Sequence, residues 1–119
     1  MGSTVGHASR ASLPHQASAL EQASGYQTWA EDAAVIAIIT ADRDVMRKGG
    51  GHYAEFSDDL CKFEAGMAGQ SCLLACAARQ LGATTIGGFD IKAVTQLLSP
   101  SLAISETPML MVAIGHPSE

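Results

Sequence analysis

The segment from Ser57 to Leu81 constrains the fold of this chain more than any other. It contains no proline, opens on the acidic pair Asp58-Asp59, and is small or apolar almost throughout from Ala65 to Ala78. Acidic side chains favour the positive end of a helix. The apolar positions, among them Leu60, Phe63, Met67, Leu74, Ala77 and Ala78, fall at mixed three- and four-residue spacings. This pattern predicts a helix capped by Ser57 or Asp58, running to about Leu81 and closed by Gly82. A helix with so little polar face is expected to be buried on most sides. In a chain of 119 residues, some of that cover is expected from another subunit.

Bulk composition points the same way. Apolar residues make up 47% of the chain and the mean hydropathy is +0.15, so part of the apolar surface is expected to face a partner. The formal net charge is −5 with seven Lys and Arg. No basic stripe exists for a phosphate backbone, and nucleic acid is not an expected partner. The longest clean apolar run, Ala33 to Ile39, is too short to span a bilayer. The first residues, Met1-Gly-Ser-Thr-Val-Gly-His7, lack a charged segment followed by an apolar one, so no secretion signal is read. Three cysteines, an odd number, suit a reducing compartment better than a disulfide framework. The expectation is a cytoplasmic, oligomeric protein without a membrane partner.

Along the chain, residues 1–14 are rich in Gly, Ser, Ala and His without a period and read as a flexible lead-in to a single domain over 15–119. Gln16 to Ser24 suits about two helical turns. Ala33 to Thr40 is a β-branched run without alternation, expected as a strand buried on both faces. Ala41 to Phe56, with Gly49-Gly50-Gly51, reads as a mobile loop holding a short helical piece near Asp42 to Met46. After the long helix come a short extended piece, Ala83 to Ile86, and a helix from Ile91 to Leu98 capped by Asp90 and stopped by Ser99-Pro100. Pro108 precedes a last strand, Met109 to Ile114. The order of three short strands, a long buried helix and shorter helices suits an α+β or α/β layer packing.

The chemistry-bearing candidates are few. In Thr84-Thr85-Ile86-Gly87-Gly88-Phe89-Asp90, two adjacent glycines leave backbone amides uncovered by side chains. Such amides suit a planar, electron-poor ligand, although Gly-Gly before a capping Asp is also a common way to begin a helix. Cys72 and Cys76 are one helical turn apart and point the same way, but no further ligands fall at metal spacing, and they read as small buried residues. His7, His15, His52 and His116 are scattered through loops. No metal site is expected.

Taken together, Glu64-Ala-Gly-Met-Ala-Gly-Gln70, Leu73-Leu74, Leu81-Gly82-Ala83, Ile86-Gly-Gly-Phe-Asp90 and Val112-Ala-Ile-Gly115 resemble the C-terminal part of the FMN-dependent nitroreductase family. The resemblance implies an α+β sandwich that dimerises through its long helix and binds FMN at the dimer interface. Electrons would pass from NAD(P)H to the flavin and on to an acceptor. It places Ile86, Gly87 and Gly88 at the flavin ring, with a backbone N–H near N5. Two features of the family are missing from this sequence: an arginine-bearing N-terminal helix and a basic stretch after the last strand, both of which grip the FMN phosphate. The chain therefore implies either a partner chain supplying those arginines, as a homodimer or heteromer, or a non-catalytic dimerisation or scaffold module. Trp29-Ala-Glu-Asp-Ala33 and Glu64-Ala-Gly66 are similar to the SagB-type azoline dehydrogenase branch. That branch implies a Lys-Tyr pair before the long helix, here Lys48 and Tyr53, as base and hydrogen-bond donor. A solvated lysine and a packing tyrosine are the plain alternative.

Overall fold

The computed structural model describes residue 22 and residues 33–48, 52–99 and 101–117. The lead-in over 1–14, the segment around Trp29 and the glycines at 49–51 lie outside them, as does the helix expected over 16–24 except for Gln22, which is helical. The elements are β1 (Val35–Asp42), α1 (Arg43–Lys48), α2 (His52–Glu55), α3 (Ser57–Ala78), β2 (Gly82–Ile86), α4 (Ile91–Leu98) and β3 (Glu106–Gly115). The last strand is the centre of the sheet. β3 pairs antiparallel with β1 on one side and β2 on the other.

Alternation along β3 sends successive side chains to opposite faces, and each face receives a helix. Met111, with Ile86 of β2, meets Val94 of α4, and Ile36, Ile38, Phe89, Ala93, Leu97 and Leu98 close around them. On the other face, Leu110 of β3, Thr85 of β2 and Ile39 of β1 all approach Gly69 of α3. Met111 and Val112 are each 0% exposed, so the central strand is buried on both faces. β1, at an edge, is mostly half-buried, and its first residue Val35 is exposed. The chain is an α+β sandwich with α3 and α4 on opposite faces of one small sheet.

The strand limits follow from pairing. β1 begins at Val35 rather than Ala33 because Val35 pairs with Ile114, near the end of β3, and Ala33 and Ala34 lie beyond that pair against Gly115. It runs on to Asp42, opposite Glu106. The last strand starts at Glu106, three residues ahead of the expected Met109, and includes Pro108. Thr40 pairs with Pro108 but Ile39 with Leu110, so Met109 is the extra residue of a bulge. A bulge is where a strand tolerates a residue without an N–H.

The polar segment before α3 is two short helices rather than one loop. Asp42 caps α1, its Oδ1 accepting from the amides of Asp44 (3.1 Å) and Val45 (3.3 Å). α2 is separated from α3 by Phe56 alone, so Ser57 is already helical and buried, and no side chain caps α3. The expected Ser57 or Asp58 cap is replaced by direct continuation from α2, and the amide of Leu60 donates to the Phe56 carbonyl at 2.9 Å. Asp58 instead lies 3.5 Å from Arg43 and 4.0 Å from Arg47, tying α1 to the first turn of α3.

At its other end α3 stops at Ala78, short of Leu81. The amide of Gln80 donates to the Ala77 carbonyl (3.1 Å) and that of Leu81 to the Cys76 carbonyl (2.9 Å). These are the two bonds of a Schellman closure. Its left-handed position is filled by Gln80, at φ 59°, and not by Gly82. Gly82 begins β2, where a Cβ would meet the Gly115 carbonyl oxygen at 3.5 Å and Pro117 at 3.6 Å.

Within the single chain α3 is covered on one side. Ser57, Cys61, Ala65, Gly69 and Cys76 form its one buried stripe, whereas Phe63 (67%), Met67 (63%) and Leu74 (62%) are exposed on the chain's surface. The sheet covers one side of the helix only.

Candidate functional site

The glycine turn sits where β2 leaves the sheet. Ile86 is the last ladder residue, paired with Met111, and its side chain is 1% exposed within the core under α4. Its side chain therefore anchors the turn from below, and only its backbone faces the turn's outer side. Phe89 packs into the same core, pinning the far end. Asp90 then caps α4, accepting from the Ala93 amide at 3.2 Å. Gly87 and Gly88 are suspended between these two anchors, and both are exposed.

Among the described residues, nothing in the backbone or packing requires either glycine. Non-glycine residues rarely take positive φ, but neither Gly87 nor Gly88 lies in that region. A Cβ added at Gly88 would meet nothing within 4 Å, and at Gly87 only Leu110 Cδ1 at 4.0 Å. Among the described residues, neither glycine amide donates a hydrogen bond to the protein. Among the described residues the turn thus presents two amides without a partner and open space above Gly88, held on a strand end and a capped helix start. Such a surface can receive a flat ring and hydrogen-bond acceptors at its edge, or hold negative charge there.

The expected pair Lys48 and Tyr53 falls on consecutive short helices. Lys48 is the exposed last residue of α1, Tyr53 belongs to α2, and the side chain of Tyr53 lies outside the described residues. His52 is also in α2, and His116 is exposed after β3. His7 and His15 lie outside the described residues.

The three arginines among the described residues face acids or backbone. Arg43 and Arg47 face Asp58, with Asp44 3.9 Å from Arg47. Arg79 donates to the Ala75 carbonyl at 3.3 Å. Asp42 titrates below the ordinary aspartate value of 3.8, chiefly through a hydrogen bond from the Ser105 side chain, with help from the Val45 and Asp44 amides and Lys48. The pairing of Arg43 and Arg47 with Asp58, and the bond from Thr40 Oγ1 to Glu106 at 3.0 Å, join residues that no local spacing links.

The cysteines are core residues. Cys61 and Cys76 are buried, Cys72 is half-buried, and all three are free thiols. Burial pushes the Cys61 thiol up, and burial followed by the neighbouring Cys76 does the same to Cys72. Such thiols stay protonated and are poor nucleophiles. Among the described residues no group of three or more His, Cys, Asp and Glu is placed to hold a metal ion, and no helix is long and apolar enough to cross a membrane.

The nitroreductase family model matches residues 4–116. No curated protein matches the sequence. Among solved structures, B. megaterium NfrA2 superimposes with a TM-score of 0.76 at 23% identity, covering 90% of this chain and 47% of its own. The NfrA1 nitroreductase from B. subtilis gives 0.72 at 23%, covering 92% and 48%. The NADPH:FMN oxidoreductase from Vibrio harveyi, solved with NAD+, gives 0.71 at 22%, covering 92% and 49%. The chain spans about half the length of these structures. With a family match running through both sheet edges, the long helix and the glycine turn, the chain belongs to the nitroreductase family.

Proposed function

We propose that this chain is part of an FMN-dependent oxidoreductase, with the flavin ring lying against Gly87 and Gly88 and the FMN phosphate held by basic residues of a second polypeptide. The observation that carries this reading is the pair of exposed glycines whose amides donate no hydrogen bond, and whose lack of a side chain no clash or positive φ explains, among the described residues. When bound, the flavin supplies redox chemistry between NAD(P)H, or a small organic or peptide substrate, and an acceptor. The chain's own residues orient it: Ile86 and Phe89 fix the two ends of the turn, Asp90 fixes the helix start, and the glycine amides hold negative charge at the ring edge.

The phosphate assignment follows from charge. The arginines of α1 face Asp58, and the net charge of −5 repels a phosphate. A second chain also answers the exposed stripe of Phe63, Met67 and Leu74 on α3, which we assign as its docking face. At a finer level, the resemblance to the azoline dehydrogenase branch assigns Lys48 as base and Tyr53 as hydrogen-bond donor. Lys48 is supported by its exposure at the end of α1.

Titrating FMN into the protein with its copurifying partners, and following the flavin absorption band, tests the reading. Wild type is expected to bind, and Gly88→Val to lose binding. Because a Cβ at Gly88 meets nothing within 4 Å among the described residues, melting temperature and oligomeric state are expected to stay unchanged. Lys48→Met and Tyr53→Phe are expected to keep the flavin and lose turnover. A Gly88→Val protein with wild-type flavin content refutes the ring position. A wild-type preparation that stays colourless after FMN is added moves the assignment to a non-catalytic dimerisation or scaffold module.

A further inference from the structure

Two glycines far apart in the sequence share one neighbour. Gly69, in the middle of α3, is the point where the helix meets all three strands: a Cβ there would stand 2.5 Å from Leu110 Cδ2, 3.8 Å from Thr85 Cγ2 and 3.9 Å from Ile39 Cδ1. The other methyl of the same leucine, Leu110 Cδ1, stands 4.0 Å from where a Cβ of Gly87 would be. One branched side chain on the central strand therefore fills the space Gly69 vacates and reaches under Gly87. Leu110 also directly follows the bulge at Met109, where the pairing of β1 with β3 slips by one residue. Bulges re-aim the side chains beside them.

From this geometry we infer that Leu110 is a positioning residue. It is wedged between the long helix and the glycine turn, sets the height of the turn against the bound ring, and transmits any shift of α3 to it. The inference rests on the flavin reading for its consequence, but the wedge itself is a property of the chain. Packed interiors have few empty spaces to absorb a displaced methyl. A side chain added at Gly69 displaces Leu110, whose other methyl already stands in contact distance of the Cβ position of Gly87. α3 also carries the proposed docking face on its opposite side. Docking and ring binding would then be coupled through a single side chain.

The test is a double-mutant cycle on the full chain with its partners, using FMN as the probe and the backbone amide resonances of Gly87 and Gly88 as a second readout that needs no flavin. Gly69→Ala is expected to shift both glycine resonances and weaken FMN binding by about tenfold. Leu110→Ala removes the displaced methyls, so Gly69→Ala combined with Leu110→Ala is expected to recover FMN affinity to within about twofold of Leu110→Ala alone. Non-additivity of this kind marks residues in contact. A residue that only fills the core would change the melting temperature and leave the cycle additive. Glycine resonances unmoved by Gly69→Ala, or an additive cycle, overturn the inference. If Gly69→Ala does not fold, Leu110→Val, which shortens the wedge without adding bulk, is expected to shift the same two resonances. Unmoved resonances there overturn it equally. Shifted resonances in a protein that binds no FMN uphold the wedge and refute the flavin reading, which separates the two failures.

Discussion

Gln80 is the residue whose replacement has the most directly calculable effect. It takes the left-handed position of the closure that ends α3, at φ 59°, and its amide donates to the Ala77 carbonyl at 3.1 Å. For a residue with a Cβ that conformation costs about 1–2 kcal/mol, whereas glycine adopts it freely. Glycine also gives the unfolded chain more freedom, which offsets about 0.4–1 kcal/mol. Gln80 is exposed, so its side chain gives up little packing. Gln80→Gly should therefore stabilise the fold by about 0.5–1 kcal/mol, a rise in melting temperature of roughly 2–5 °C for a chain of this size. Gln80→Ala is the control, since alanine keeps the Cβ and its strain and should melt near wild type. The assay is thermal unfolding by circular dichroism at fixed protein concentration, because any assembly makes the midpoint concentration-dependent. If Gln80→Ala stabilises as much as Gln80→Gly, or if Gln80→Gly melts below wild type, the strain argument is wrong.

Two further outcomes follow from the structure. Asp42 has its carboxyl held below the ordinary value by Ser105 and the α1 amides. Its contribution is therefore present above the unfolded value of 3.8 and lost as pH falls through the lower folded value. Asp42→Ala should be less stable than wild type at neutral pH, with the gap between their urea midpoints closing below about pH 3.8; a gap that persists unchanged into acid refutes the assignment. Met67→Glu places a charge in the exposed stripe of α3. With about 1–2 kcal/mol of further burial available to each methionine, and two copies in a symmetric pair, self-association should weaken by at least tenfold in sedimentation equilibrium. An unchanged association constant would remove α3 as the docking face.

Local signals were legible in the sequence where they decide structure by themselves. α4 runs over Ile91–Leu98 with Asp90 as its cap, as a capping residue and a following Ser-Pro require. The three strands were visible as β-branched runs and a glycine turn. What was not legible depends on partners distant in sequence. The extension of β1 to Asp42 and of β3 to Glu106 exists only because the two ends pair with each other. In the polar segment that folds as α1 and α2, Arg43 and Arg47 of α1 face Asp58 of α3, a contact that no local spacing announces. The end of α3 misled the reading because a glycine was present at Gly82, yet the closing bonds run to Gln80 and Leu81. At the candidate site, the sequence offered Gly87 and Gly88, but that neither takes a positive φ nor relieves a clash among the described residues needed coordinates. Gly69 was the one missed signal that a reader could have used, since an isolated glycine inside a helical pattern often marks a close approach.

α3 inverts the usual distribution of size in an amphipathic helix, and this is the strongest physical reason to expect a second chain. Phe63, Met67 and Leu74 lie within about 40° of one another around the helix, and Cys61, Ala65, Gly69 and Cys76 centre on the opposite side. The large side chains face out and the small ones face the sheet. The inner face has to be small, because Leu110 already occupies the space beside Gly69. Burying a large apolar side chain stabilises by about 1.5–3 kcal/mol, so the outer face forgoes most of what it could contribute for as long as it meets solvent. Polar residues there would cost the isolated chain nothing. Large apolar ones gain only when another surface covers them, and a helix that is thin inside and bulky outside is built to be packed from both sides. The wedge at Leu110 joins those two sides, since whatever presses on the outer stripe presses on Gly69 and, through one leucine, on the turn proposed to hold the flavin.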